Sequence, residues 1–405
     1  MLKWFETRLS GPGASASEPL AATDISTPLV LKPRELLRVG QPRTLNLWST
    51  HRFWIGFLVA LGVDARRIAF SSETSEAQRR EHGLGRGTVD CCYPVKCMSG
   101  HYGELLARDG QPLDVLLSPM IQTLPSFLGS RVRASLACPR VMAAPENIMA
   151  GYLKCGDAFA AQGVRHVAPL VTPDEPDLAA RQLFAALADA TPGLTPAQTT
   201  RAVQAGLAEL ADFSTQLRAQ SRAMLQRCAR ENTPCILVLA RPYHMDPGIG
   251  HEIEVDLQGH GWPVLWAQHL PIDDELLGWL FGAELRAGTL RSALDIADVW
   301  PSSFSANTNE ILWAARFAAR MPWVAGVIRL SSYECGMDQP SYTPVQRIVE
   351  SSGTLFFSFQ DLDANKPAGA VKIRVETIAM YLKTMAAGIV ARKRAALPPW
   401  GSLER

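Results

Sequence analysis

"CILVLARPYHMDPGIGHEIEVDLQGHGWPVLWA" (235–267) decides the fold. Its first part, "CILVLARP" (235–242), is a short run of aliphatic and β-branched residues stopped by a proline, which predicts a buried strand. "GHEIEVDLQGHG" (250–261) follows with helical spacing, and "PVLWA" (263–267) is strand-like again. Strand, helix and strand in one short segment predict a parallel βαβ unit and the α/β class. Beyond it, "WVAGVIRL" (323–330) and "TLFFSF" (354–359) read as further strands. The first half repeats the scheme. "RTLNLW" (43–48), "RIAF" (67–70) and "LDVLLSP" (113–119) read as strands, and "STHRFWIGFLVALG" (49–62) as a helix capped by Ser49 or Thr50 and closed by Gly62.

Between the halves, residues 175–233 are rich in Ala, Leu, Gln and Arg with helical period, predicting two helices joined at Thr191-Pro192-Gly193. The expected organisation is a loosely ordered lead-in (1–35), an N-terminal α/β domain (36–174), bridging helices (175–233), a C-terminal α/β domain (234–385) and a closing helix or tail (386–405). At 405 residues and 47% hydrophobic content the chain can bury two sizeable cores. Forty basic residues balance thirty-nine acidic ones, so there is no electrostatic footprint for nucleic acid or an anionic membrane. Glu6 and Arg8 interrupt what a signal peptide would need as an apolar run, and "FWIGFLVALGV" (53–63) is too short to span a bilayer. A cytoplasmic protein is expected, and its eight cysteines are expected to be thiols or metal ligands rather than disulfides.

"VDCCYPVKCMSGH" (89–101) carries Cys91, Cys92 and Cys97, without the spacing of a zinc site or a ferredoxin. Cys92 precedes Tyr93-Pro94 at an expected helix start, Cys138 precedes Pro139 at another, and Cys335 lies in the loop "SSYECGMDQPSYTP" after an expected strand. All three fall where a strand has ended and a helix begins, the edge at which loops of a doubly wound sheet form the ligand crevice. Thiols there ionise more readily. Three converging cysteines suit an iron–sulfur cluster or a single metal held by three thiolates; packing as small apolar residues is the plainer alternative.

"VGQPRTLNLWSTHRFWIGFLVALG", "DCCYPVKCMSGH", "ACPRVMAAPENI", "VLARPYHMDPGIGHEI", "SSYECGMD" and "DLDANKPAGAVKIRVETI" together resemble the activase-associated branch of the 2-hydroxyacyl-CoA dehydratase and benzoyl-CoA reductase superfamily. The resemblance implies two Rossmann-like domains clasping a 4Fe-4S cluster in the interdomain crevice, with Cys92, Cys138 and Cys335 as its ligands. A larger 8Fe-9S double-cubane cluster, as in related proteins, would draw on Cys91, Cys97 and Cys155 as well. It further implies low-potential electrons supplied by an ATP-driven activase, an acyl-CoA-type substrate, and pairing with a homologous subunit or a second copy. The chain has no G-x-x-x-x-G-K-[ST] loop, so the activase is expected to be a separate protein.

In "ARPYHMDPGIGH", Tyr243 and His244 are candidates for delivering a proton and Arg241 for gripping a carboxylate or CoA phosphate; Asp246 could join them or cap the following helix. His251, Lys96 and His101 read as a packed histidine, a solvated lysine and a core-edge histidine. Lys366 and Arg374 read equally as surface charges or cofactor contacts, and Cys228 and Cys235 as structural. Two functions follow: an iron–sulfur dehydratase or reductase component, or a non-catalytic subunit that relays electrons or assembles a complex.

Overall fold

The computed structural model describes residues 32–87, 91–108, 112–154, 156–363 and 368–399. Most of the expected lead-in lies outside these residues, as do Cys155 and Lys366. In chain order the strands are β1 (Val39–Gln41), β2 (Ile68–Phe70), β3 (Val115–Leu117), β4 (Met120–Ile121), β5 (Arg165–Val167), β6 (Leu170–Val171), β7 (Cys235–Leu239), β8 (Val264–Trp266), β9 (Val324–Ser332) and β10 (Leu355–Leu362). They form two four-stranded sheets, β2-β1-β3-β5 and β10-β9-β7-β8, and a small β4-β6 pair. Every pairing is parallel. The fold is therefore the expected α/β type with two Rossmann-like parallel sheets.

The helices are α1 (Asn46–Ala60), α2 (Tyr93–Leu106), α3 (Ala144–Leu153), α4 (Pro176–Leu187), α5 (Pro196–Glu231), α6 (Ile253–Gly259), α7 (Asp274–Arg286), α8 (Ala306–Arg320), α9 (Tyr342–Ser351) and α10 (Ala368–Ala395), with single turns between some of them. Strand β7 shows why both faces of a sheet are covered. Cys235, Leu237 and Leu239 enter one core with Leu312 and Phe317 of α8, while Ile236 and Val238 enter another with Ile378 and Leu382 of α10. Burying each such leucine or phenylalanine contributes about 1.5–3 kcal/mol. The first sheet is covered likewise, with Val115 and Leu117 packing towards α1 and α4, and Leu116 towards α2. A parallel sheet buried on both sides needs continuous apolar strands, and that is what made "CILVL" legible.

Three expectations are corrected. Residues 43–48 are not a strand: β1 lies upstream at Val39–Gln41 and α1 already begins at Asn46. Leu47, Thr50, Trp54 and Phe57 share a buried helical face, and that longer period overrides the short alternation of "RTLNLW". Ser49 and Thr50 consequently are not caps, since both hydroxyls donate to the Asn46 carbonyl, at 3.2 and 2.7 Å. The helix expected over 250–261 is split, because His251 and Glu252 sit in the left-handed region (φ 56° and 54°) and separate the turn Pro247–Gly250 from α6. At the C-terminus α10 runs unbroken to Ala395.

The bridging segment forms α4 and α5, joined through Thr191-Pro192-Gly193. A reciprocal capping box, Thr195 with Gln198, starts α5, and Asn232 in left-handed conformation (φ 50°) ends it. At 36 residues α5 is about 54 Å long, and it enters both cores, Ala202 and Val203 the first and Leu225 and Cys228 the second. Among the described residues no helix is long and apolar enough to cross a membrane.

Candidate functional site

Cys92 is the N-cap of α2, with Pro94 in the first turn. Cys138 caps the turn Pro139–Met142, again with proline first. Cys335 follows β9 in a tight turn, where Glu334 is left-handed (φ 64°) and the Cys335 amide donates to the Ser332 carbonyl at 3.2 Å. These local signals bring the three thiols into one neighbourhood. Burial pushes the Cys92 thiol up to about 12, and the charges of Cys335, Cys91 and Cys138 push it the same way. Cys92, Cys138 and Tyr243 belong to a single apolar cluster, with Met337 packed against it.

The additional cysteines divide. Cys91 acts electrostatically on Cys92. Cys97 is fully buried and hydrogen-bonded with Tyr93, and the charges it feels are those of Arg79, Asp246 and Glu76. Cys228 and Cys235 are free thiols hydrogen-bonded to each other inside the core around β7.

Beneath the thiols lies a buried ionic network. Asp338, completely enclosed, accepts from Arg241 at 3.0 Å and from Ser331 Oγ at 3.0 Å, and Arg329 Nη2 stands 3.2 Å away. Burial alone would raise the Asp338 carboxyl, but the Arg241 and Arg329 guanidiniums hold it well below the usual carboxylate range. Arg329 also donates to the Leu239 carbonyl at 3.0 Å and to Ser341 Oγ at 3.3 Å. Arg241 feels, besides Asp338, the charges of Tyr243, Cys335 and Cys138. The forked contact expected of Arg241 towards a ligand is thus made to Asp338, inside the protein.

Tyr243 and His244 stack with ring centroids 5.1 Å apart. Burial pushes the Tyr243 hydroxyl well up; the Arg241 charge opposes this, while Cys335 and Cys92 add to it. His244 Nδ1 is 3.2 Å from the Arg241 carbonyl and Nε2 3.3 Å from Ser332 Oγ, and burial lowers its pKa to about 4. His244 is neutral near pH 7, with both ring nitrogens already in hydrogen bonds. Asp246 caps the turn Pro247–Gly250 through the Gly248 amide at 3.0 Å, and also accepts from Thr74 Oγ1 at 3.0 Å. Gly248 is required there: a Cβ would stand 2.1 Å from the Thr74 carbonyl oxygen. The two sheets' loops are thereby clasped beside the thiols.

Thr74 extends the clasp to His101, whose Nε2 lies 2.9 Å from Thr74 Oγ1 and whose Nδ1 lies 2.7 Å from Ser71 Oγ. Since Thr74 donates to Asp246, the network assigns the His101 proton to Nε2. His101 is fully buried rather than at the core edge, and burial lowers its pKa to about 4. A histidine depressed in the folded state contributes stability above its unfolded pKa, near 6.5, and loses it as pH falls through the folded value. His101 and His244 are expected to make the unfolding free energy in urea, and with it the midpoint, drop between about pH 7.5 and pH 5, by up to roughly 2 kcal/mol for each residue. A midpoint unchanged over that range would contradict the assignment. Arg374 is a staple of α10 on β10, donating to the Ser358 carbonyl at 2.7 Å and lying 3.9 Å over the Phe359 ring.

A cavity of about 950 Å³ lies between α1, α5 and the loops after β4, β7 and β8; Pro242, Met245 and Asn307 are among its walls, and no described cysteine is. Asn307 joins it to the ionic network, accepting from Arg241 at 3.4 Å. Sequence reading passed over Asp338, Arg329, Asn307 and Thr74. Arg329 alone carried a signal: a charge in the middle of the apolar strand "WVAGVIRL" must find a buried partner. Among the described residues no group of three or more His, Cys, Asp or Glu side chains forms a ready-made site for a metal ion.

Two parallel sheets, clasped where Thr74 meets Asp246 and underlain by a buried arginine–aspartate network, define an α/β protein of two Rossmann-like sheets. No curated protein matches the chain. It belongs to the CoA enzyme activase uncharacterised domain family, whose model matches residues 38–270, more than half of the chain. The match includes Cys92, Cys138 and Arg241, and ends before Arg329, Cys335 and Asp338.

Proposed function

We propose that this chain is an iron–sulfur protein of the CoA enzyme activase system, taking low-potential electrons from a separate ATP-hydrolysing activase for radical dehydration or reduction of an acyl-CoA-type substrate. The observation that carries the reading is that Cys92 feels the charges of both Cys335 and Cys138, and shares one buried apolar cluster with Cys138. The donor set fits such a group: three thiols from three chain segments, two at N-caps and one in the turn after β9, each able to bind a metal as thiolate. A four-iron cube is bulkier than one ion, so its ligands need not converge as closely as those of a single metal. When bound, it would supply the one-electron chemistry that no side chain offers. The larger 8Fe-9S alternative would draw on Cys91 as well, whose charge acts on Cys92.

The chain's own residues set the conditions. Burial and the Asp338 charge push the Cys335 thiol up, and the fixed positive charge of Arg241 opposes them. Tyr243, neutral and buried, retains its proton close to Cys335 and Cys92. The apolar cluster of Val95, Val141 and Ile249 excludes water from the same region.

A specific observation favours a second reading, a relay subunit without catalysis of its own. Arg241 and His244, two of the three polar candidates for substrate chemistry, are each 1% exposed and bonded within the protein. The experiment mixes anaerobically reconstituted protein with an ATP-hydrolysing activase of this system and follows the visible absorbance. ATP-dependent bleaching is expected; its absence would overturn the electron-acceptor role. Bleaching without turnover of 2-hydroxyacyl thioesters would assign the relay.

A further inference from the structure

The cavity between α1 and α5 has its own chemistry, separate from the thiols. Its volume, about 950 Å³, suits one small organic molecule. Phe127, Phe213 and Leu210 give it an apolar wall. Into that wall α5 projects Arg218, whose guanidinium lies 5.1 Å over the Phe127 ring. The Nε of Arg218 is buried and has no hydrogen-bond partner. A buried donor left unmade is costly, and a cationic one more so, unless something absent from the protein alone completes it.

The acid facing Arg218 does not complete it. Glu310 of α8 is 7% exposed and its carboxylate accepts from Ser126 Oγ at 2.9 Å, with Asn307 also hydrogen-bonded to it. Burial raises Glu310 to about 7, with the Ser126 bond and the Arg218 charge opposing, so the acid is only partly ionised at neutrality and loses its charge below it. Arg218 therefore keeps a net positive charge at the edge of an apolar chamber. Arg43, which also lines the cavity, is compensated by Glu73 at 3.4 Å.

We propose that this cavity is a binding site for a small organic carboxylate with an apolar body, its carboxylate held by Arg218 and its body against Phe127, Phe213 and Leu210. The site does not depend on iron. Through Asn307, which touches both Glu310 and Arg241, an anion at Arg218 would add its charge to the network that ends at Asp338 and Cys335.

Calorimetric titration of the full chain with decanoate and with decanol tests this. One decanoate per chain is expected, binding at least tenfold more tightly than the alcohol. Arg218→Gln is expected to remove that preference and leave decanol binding unchanged, with circular dichroism confirming the fold. Ala211→Trp, at an exposed position of the lining, should weaken both ligands and serves where Arg218→Gln does not fold. Cys92→Ala should leave decanoate affinity unchanged, which separates this site from the iron–sulfur reading. Equal affinity for acid and alcohol, or decanoate binding indifferent to Arg218→Gln or to Ala211→Trp, would overturn the proposal.

Discussion

Asp338→Ala is expected to lower the unfolding free energy by about 3–5 kcal/mol, the loss characteristic of a buried pair deprived of one partner. The wild-type carboxylate answers two enclosed guanidiniums, Arg241 and Arg329, and accepts a further bond from Ser331. Truncation leaves both cations uncompensated where water cannot reach: Arg241 is 1% exposed and Arg329 not at all. Asp338→Asn keeps the volume and one acceptor but not the charge, so it should fall between alanine and wild type. The pH dependence follows with a definite sign. A carboxyl held below its ordinary range contributes stability above its unfolded pKa, near 3.9, which is lost as pH falls through the folded value. The Asp338 contribution therefore persists to more acidic conditions than those of His101 and His244. Urea denaturation of the three forms measures this, and a loss below about 1 kcal/mol for Asp338→Ala would mean that the network is not the buried charge cluster described.

The network also shows what a sequence does and does not disclose. "CILVL", "WVAGVIRL" and the proline-led starts after Cys92 and Cys138 were readable because strand burial and helix capping are local, written within a few residues. The helix N-termini at Tyr93 and Pro139 stand where proline predicts them. Partnerships across the chain were not readable. Nothing local pairs Thr74 with Asp246 or Asn307 with Arg241, since those contacts depend on how two sheets meet. The same holds for the cavity, whose wall is assembled from α1, α5, α8 and three loops. Where local signals misled, tertiary packing was the cause. Residues 43–48 alternate as a strand would, yet Leu47 and Trp54 are drawn into the helical face that covers β1 and β3. The left-handed pair His251-Glu252 interrupts what spacing reads as one helix. Of the polar residues in "ARPYHMDPGIGH", Arg241 and Asp246 are engaged inward in holding the clasp and the ionic network. A dense polar motif is thus equally the mark of a site that must be held rigid.

The central proposal, that Cys92, Cys138 and Cys335 grip one iron–sulfur group between the sheets, is tested most directly by counting iron. Anaerobic reconstitution of wild type should incorporate about four irons and as many sulfides per chain, the content of a single cube, with about eight marking the double cubane. Cys92→Ala, Cys138→Ala and Cys335→Ala should each lose most of the iron together with the visible absorbance and the EPR signal of the reduced form, while Cys228→Ala, in the core around β7, should retain them. Wild type that takes up no iron, or single variants that hold as much as wild type, would contradict the account and leave these thiols as packing residues of an α/β scaffold.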